Sequence, residues 1–121
     1  KELGADDYGM KTYVFIMLSS GGNTTATAEE QGKAFRGHQE NIRGLAEAGK
    51  MIVAGPYYPN DDNYRGLFIL DVATIEEAKE LMKGDPAITS DILKVTYYQW
   101  YGSAALKTYM ENSEKIWVKR P

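Results

Sequence analysis

Two capping boxes, each a threonine followed three residues later by a glutamate, divide this chain into similar halves. They stand at residues 27–30 (TAEE) and 74–77 (TIEE), and each is typical of a helix that begins at its threonine. Before and after these helices, runs of β-branched and aromatic residues predict strands at 12–18, 51–57, 65–72 and 92–101. The chain is therefore expected to fold in the order β-α-β-β-α-β.

The first predicted helix carries the only histidine of the chain on its apolar face. The residues of this face recur at spacings of three and four, namely Phe35, His38, Ile42, Leu45 and Gly49. Two more glycines, Gly37 and Gly44, lie inside the helix beside this face, where each costs roughly 1 kcal/mol relative to alanine. Such glycines favour close packing of the helix against a sheet.

This order of elements predicts an α+β fold of the ferredoxin-like type. With right-handed crossovers, both helices lie on one face of a single antiparallel sheet. The first and third strands are apolar on both sides, so the other face would expose more apolar surface than a monomer tolerates. We therefore expect a homodimer in which this sheet face packs on its copy. Residues 1–11 are interpreted as an N-terminal arm, 12–101 as the domain, and 102–121 as a partly helical C-terminal extension.

Composition restricts the partners that the chain could use. The net charge is −3 and no basic stripe is present, which argues against nucleic-acid binding. The longest apolar run, Tyr13 to Leu18, is far shorter than the roughly 20 residues of a membrane-spanning helix. With one histidine and no cysteine, a transition-metal site would be mostly carboxylate, so we expect neither metal nor cofactor. The start at Lys1 rather than methionine is consistent either with a cut tag or with a removed segment such as an export signal. A periplasmic or exported location is slightly favoured over a cytoplasmic one.

His38 and Asp85 are the first candidates for chemistry. An unperturbed imidazole titrates near pH 6.5 and suits proton transfer, although a histidine that is hydrogen-bonded inside the core is an equally open interpretation. Asp85 precedes a proline, which is typical of the N-cap of a short helical turn. In this topology the loop after the second helix can also reach the first helix, so Asp85 could instead orient the imidazole and raise its basicity.

Two further polar residues could bind a ligand. Asn41 lies one turn beyond His38 on the flank of the apolar face, where it could hydrogen-bond a ligand or be solvated. Arg65 opens the third strand beside Gly66 and could clamp a carboxylate, although an arginine at a strand edge is more often a surface residue.

Short segments spread over residues 12–101 carry a family resemblance: 13–18 (YVFIML), His38 with Asn41, Leu45 and 49–50 (GK), 53–56 (VAGP), 66–69 (GLFI), 76–78 (EEA) and 85–88 (DPAI). In their order and spacing they resemble the YCII-related domain proteins. The closing segment at 100–106 (WYGSAAL) is similar to a longer branch of the family, one associated with exported bacterial proteins.

The resemblance implies a ferredoxin-like dimer of the α/β-barrel type and an active-site pair at the positions of His38 and Asp85. A few members are enzymes, among them a dehydrochlorinase that acts on chlorinated hydroxyquinols, and the fold is shared with muconolactone isomerases. We therefore expect a small cofactor-free enzyme in which His38 transfers protons, Asp85 orients it, and Asn41 or Arg65 binds oxygens of a small oxygenated substrate, for example a cyclic one. A ligand-binding module without turnover, and an interaction protein that docks a partner through the extension, are the alternatives.

Overall fold

The computed structural model describes residues 3–117 and is built around one four-stranded antiparallel sheet. Its strands are β1 (Met10–Ser20), β2 (Met51–Pro56), β3 (Tyr64–Leu70) and β4 (Leu93–Ser103), in the spatial order β2-β3-β1-β4. The helices are α1 (Ala28–Glu47), α2 (Ile75–Met82), the short α3 (Pro86–Thr89) and, after a 3₁₀ turn at Ala104–Lys107, α4 (Thr108–Glu114). The predicted α+β fold and its order of elements are confirmed, with α3 as one short helix more than predicted.

Both predicted helix starts are confirmed by their caps. The Thr27 hydroxyl accepts a hydrogen bond from the Glu30 backbone N–H, and the Glu30 carboxylate accepts one from the Thr27 N–H. At the second box the Thr74 hydroxyl accepts from the Glu77 N–H and donates to the Glu77 carboxylate. An N-cap of this kind contributes about 1 kcal/mol to helix stability, because it satisfies backbone donors that have no partner within the helix.

Strands β1, which is central, and β4, which lies at one edge of the sheet, are longer than predicted. β1 and β4 pair over their whole length, from Met10 opposite Ser103 to Ser20 opposite Leu93. Met10 and Lys11, predicted to belong to the arm, and Gly102 and Ser103, predicted to belong to the extension, therefore lie in this ladder. The apolar pattern does not predict these ends, because backbone hydrogen bonds extend the ladder beyond the buried core.

One face of the sheet is covered by α1 and α2. The buried side chains that meet there come from β1, β3 and α2, and they include Val14, Ile16, Leu18, Phe68, Leu70, Ala78 and Met82. Ile42 and Leu45 of α1 pack against this cluster, as their spacing predicts. This helix-covered face holds the larger part of the core and, as described below, the candidate site.

The opposite face is covered at one end by the C-terminal extension. Tyr13, Ile52 and Ile69 form a second buried cluster, against which Leu106 of the 3₁₀ turn and Met110 of α4 pack. The extension thus packs on its own domain and covers part of the face that we expected a second copy to cover.

A carboxylate with little solvent exposure lies beside this second cluster. Asp71 accepts a hydrogen bond from Lys11 at 2.6 Å and from Lys107 at 3.0 Å, which joins β1 to the extension. Burial raises the pKa of Asp71, but the two lysines outweigh it and hold the pKa below its ordinary value of 3.8. Nearby, the buried phenol of Tyr13 donates to the Ser103 carbonyl at 2.7 Å.

The rest of this outer face is open in the single chain. Tyr98 and Trp100 of β4 are 54% and 40% exposed, and Phe15, Met17 and Leu67 lie half-buried beside them. This strip is the surface that a face-to-face homodimer would use, and the dimer itself stays a prediction. Within residues 3–117, no helix combines the length and the apolar character needed to cross a bilayer.

Candidate active site

His38 and Asp85 form a buried hydrogen-bonded pair, although 47 positions separate them in the chain. His38 points from α1 toward the sheet and is 7% exposed, while Asp85, in the connection between α2 and α3, is fully buried. Their Nδ1 and Oδ2 atoms are 2.5 Å apart. The other carboxylate oxygen of Asp85 accepts a hydrogen bond from the Ala87 N–H at 3.0 Å. The residue is therefore both the N-cap of α3 and the partner of the imidazole.

A glycine on α1 lets α3 approach closely enough to form this pair. A Cβ atom at position 37 would lie 2.3 Å from Cγ of Pro86, so only glycine fits the contact. The expectation that Gly37 packs against the sheet is thus wrong, because its partner is the proline that follows Asp85. The same expectation fails for Gly44, where a Cβ would meet no atom within 4 Å. Gly44 lies two turns further along α1, beyond the reach of the four-residue α3.

Two aromatic rings enclose the imidazole. Phe35, one turn earlier on α1, meets His38 edge to face at 84°, and Phe68 of β3 stacks on it at 29°. Both ring centroids lie 5.8 Å from that of the imidazole. The sequence pattern places Phe35 on the same helix face as His38, but Phe68 carries no sequence signal for this role. The rings surround the pair with low-polarity material, which strengthens electrostatic interactions there.

Asn41 lies against the segment that leads to Asp85. A Cβ atom on Gly84 would come within 2.8 Å of the Asn41 side-chain oxygen. The side-chain nitrogen of Asn41 is buried and has no hydrogen-bond partner among residues 3–117. A buried donor without a partner costs about 1–3 kcal/mol, so an acceptor supplied by a ligand would relieve it.

Arg65 lies at the rim of the site rather than beside the pair. Its guanidinium carbon is 5.9 Å from the centroid of the Phe35 ring, and that ring contacts His38. The residue is exposed, and within the described part of the chain no carboxylate lies within 4.0 Å of it. Of the four residues proposed from the sequence, His38 and Asp85 are in direct contact, Asn41 adjoins Gly84 beside Asp85, and Arg65 contacts the Phe35 ring beside His38.

Two surface grooves lie beside this pair rather than over it. One groove of about 320 Å³ runs between α1, β2 and α4, and a second follows the outer side of α1; His38 and Asp85 line neither. Phe35 borders the second groove. In residues 3–117, no three histidine, cysteine, aspartate or glutamate side chains are grouped so as to hold a metal ion.

The hydrogen-bond pattern determines which ring nitrogen could act on a ligand. A carboxylate only accepts hydrogen bonds, so the Nδ1–H of His38 donates to Asp85. Nε2 then carries the lone pair, and no group within residues 3–117 forms a hydrogen bond to it. An imidazole oriented in this way can accept a proton at Nε2 while the carboxylate stabilises the imidazolium that results.

Comparison with solved structures supports the fold. A structure of 5-chloro-2-hydroxyhydroquinone dehydrochlorinase from Burkholderia phenoliruptrix, in complex with 2,5-dihydroxybenzoquinone, matches with a TM-score of 0.51 and 15% sequence identity. The match covers 72% of this chain and 92% of that one. At this identity the similarity concerns the fold alone.

Comparison of sequences places the chain in a family. No curated protein matches it. The family model of the YCII-related domain matches residues 13–101, which is most of the chain and includes both residues of the buried pair. The chain therefore belongs to the family of YCII-related domain proteins.

Proposed function

We propose that this protein is a small cofactor-free enzyme in which His38 and Asp85 perform general acid/base chemistry on a small oxygenated molecule. The observation that carries the proposal is the pair itself: a nearly buried imidazole whose Nδ1 is 2.5 Å from a fully buried carboxylate. Burying two titratable groups costs free energy, and a plain core would be built more cheaply from apolar side chains. A carboxylate that orients an imidazole is also an arrangement that general acid/base catalysis uses.

In the proposed mechanism, Nε2 of His38 removes a proton from an activated position of the substrate. Asp85 holds the ring in the required tautomer and stabilises the imidazolium, which then returns the proton to another substrate atom or to a leaving group. Asn41 donates its free amide hydrogen to a substrate oxygen, and Arg65 binds a second oxygen at the rim. Positioned proton transfer of this kind contributes roughly a hundred- to ten-thousand-fold in rate.

The substrate class is proposed from the ring-lined surroundings and from the family. Phe35 and Phe68 border the imidazole with aromatic surface, which suits a planar or cyclic molecule. The dehydrochlorinase with the same fold is named for a chlorinated hydroxyhydroquinone and was solved with a dihydroxybenzoquinone. Reactions of this class remove or relocate a proton beside a carbonyl or hydroxyl group, which an imidazole can catalyse without a cofactor.

The direct test compares the wild type with His38→Gln on a panel of cyclic hydroxy ketones, lactones and hydroxyquinols. The panel includes 5-chloro-2-hydroxyhydroquinone, and the readouts are chloride release and deuterium uptake from heavy water by NMR. We expect turnover of at least one compound by the wild type and a loss of about a hundredfold or more in His38→Gln. Asp71→Asn is the matched control, because it alters an aspartate side chain of low exposure on the other sheet face.

Two outcomes would change the conclusion. Tight binding of panel compounds without turnover by the wild type would favour the ligand-binding module over the enzyme. Unchanged turnover and an unchanged thermal midpoint in His38→Gln would show that the pair has no functional role.

We also propose that the open strip of the outer sheet face packs on a second copy of the chain. The exposed rings of Tyr98 and Trp100, beside half-buried apolar side chains, support this assembly. A Trp100→Glu change places a charge in the strip and should shift a dimer toward monomer in analytical ultracentrifugation. A monomeric wild type at micromolar concentration would count against the assembly.

A further inference from the structure

A β-bulge in β3 turns Arg65 toward the helix-covered face of the sheet. Leu18 of β1 pairs with Gly66, but its neighbour Ser19 pairs with Tyr64, so Arg65 has no partner residue in β1. Strand residues alternate between the two faces of a sheet. Phe68 lies on the helix-covered face, and Gly66, two positions earlier, therefore belongs to the same face. Regular alternation would thus place Arg65 on the outer face.

The contact of the side chain shows the effect of the bulge. The guanidinium carbon of Arg65 lies 5.9 Å from the centroid of the Phe35 ring, and Phe35 belongs to α1 on the helix-covered face. The extra residue of the bulge therefore places the Arg65 guanidinium on the helix-covered face of the sheet instead of the outer face. Bulges occur frequently next to active sites, where they re-aim one side chain without altering the rest of the strand.

From this geometry we infer that Arg65 selects a substrate that carries a negative charge on a planar framework. The guanidinium borders the aromatic layer that encloses His38, and within residues 3–117 no acidic side chain neutralises it. A guanidinium presents a planar fork of donors that matches a carboxylate, and it also binds an enolate or a phenolate oxygen. This inference rests on the proposed function, because it concerns the ligand of the same site.

Charge and shape together define the class. The imidazole and its two phenylalanine neighbours favour a flat ring or a conjugated chain, and the buried amide nitrogen of Asn41 is a second donor for an oxygen atom. A planar anion with its charge toward Arg65 and a neutral oxygen toward Asn41 satisfies both donors. A neutral molecule of the same shape leaves Arg65 without a counterion.

The test uses two molecules that differ in charge but hardly in shape, benzoate and benzamide. Their dissociation constants are measured by ligand-observed NMR titration with the full chain, in low and in moderate salt. We expect the wild type to bind benzoate about tenfold more tightly than benzamide, with a preference that weakens as salt rises. Arg65→Gln should reduce the preference to less than about threefold, and Arg65→Lys should retain part of it.

Arg43→Gln is the matched control, because Arg43 is an exposed arginine on the same side of the chain that lines the grooves and not the His38–Asp85 pair. It should leave the preference unchanged. Equal affinity of the wild type for the two probes would overturn the inference, as would the absence of saturable benzoate binding or an equal effect of the two glutamine variants. Thermal midpoints of all variants exclude unfolding as the cause.

The outcome is independent of turnover. If His38→Gln retains wild-type turnover, the proposed function fails, whereas a benzoate preference that depends on Arg65 would still stand as a property of the site. If His38→Gln loses turnover and the wild type shows no charge preference, the acid/base proposal stands and the anion selectivity fails.

Discussion

Each face of the sheet has an aspartate side chain with little solvent exposure, and the two carboxylates are satisfied in different ways. Asp71, beside the extension, is bound by the ammonium groups of two lysines. Asp85, under α1, is bound by one backbone N–H and by a single imidazole. The first arrangement joins separate parts of the chain by ion pairs, whereas the second orients one ring nitrogen of a histidine and leaves the other for a ligand. Burial of a carboxylate alone therefore does not indicate chemistry; the kind of side chain that it orients does.

The largest expected effect is a difference in turnover between variants of the two aspartates. Asparagine at position 85 keeps the N-cap of α3 but presents an amide N–H to Nδ1 of His38, which favours the wrong tautomer of the ring. We expect Asp85→Asn to lower the turnover number by about a hundred- to ten-thousand-fold. Asp71→Asn should lower it less than about twofold, as measured on any substrate found in the panel. Similar losses in both variants would mean that the two carboxylates do not differ in role.

The next effect concerns the contact that brings Asp85 to α1. Gly37→Ala forces a Cβ against Pro86, and we expect it to lower the free energy of unfolding by about 1–3 kcal/mol and to reduce turnover as the pair is displaced. Gly44→Ala is the control in the same helix, and it should raise that free energy by about 0.5–1 kcal/mol, because its Cβ meets open space. Urea denaturation measures both. Destabilisation by Gly44→Ala would contradict this account of α1.

A smaller effect is expected in the pH dependence of stability. The pKa of Asp71 is lower in the folded chain than its ordinary value of 3.8, so its contribution is fully present above about pH 4 and is lost as the pH falls further. We expect Asp71→Asn to lower the free energy of unfolding by about 1–2 kcal/mol at pH 7, a value that allows for solvent screening at the partly exposed lysines. The difference from the wild type should shrink toward zero near pH 2. Thermal midpoints recorded between pH 2 and 7 test it, and a constant difference would argue against the lysine pairing.

The smallest effect concerns the hydrogen bond from Tyr13 to the Ser103 carbonyl. Tyr13→Phe keeps the ring in the second cluster but removes this bond, which should cost about 1 kcal/mol of unfolding free energy. Because Tyr13 lies on the outer face, the turnover number should not change. A change in turnover without a change in stability would show that the two faces are coupled.

Much of the fold and half of the site could be predicted from the sequence. The capping boxes and the apolar spacing locate both long helices, and they correctly turn His38 inward. From the sequence, Asp85 is interpreted either as an N-cap or as the partner of His38, and the structure shows both contacts. One carboxylate oxygen caps α3 and the other contacts His38. The catalytic role itself stays a prediction.

The remaining features depend on contacts between distant segments. The fit of Gly37 on Pro86 has no local signal, because a helix-interior glycine looks the same whether its Cβ would clash or not. The bulge at Arg65 arises from the register of two strands, which the alternation within either strand does not reveal. The packing of Leu106 and Met110 on the outer face likewise requires the position of the sheet.

The eleven-residue strand β4 lies at the edge of the sheet and is hydrogen-bonded to β1 alone among residues 3–117. Its outer side therefore offers a ladder of backbone donors and acceptors about 36 Å long, to which another extended chain can add by strand pairing. Self-association along this edge would join two sheets into one continuous sheet and leave Trp100 and Tyr98 uncovered, unlike packing face to face. If a dimer is observed in solution, the solvent accessibility of these two rings should therefore be measured, for example by fluorescence quenching. The result distinguishes pairing along the β4 edge from packing face to face.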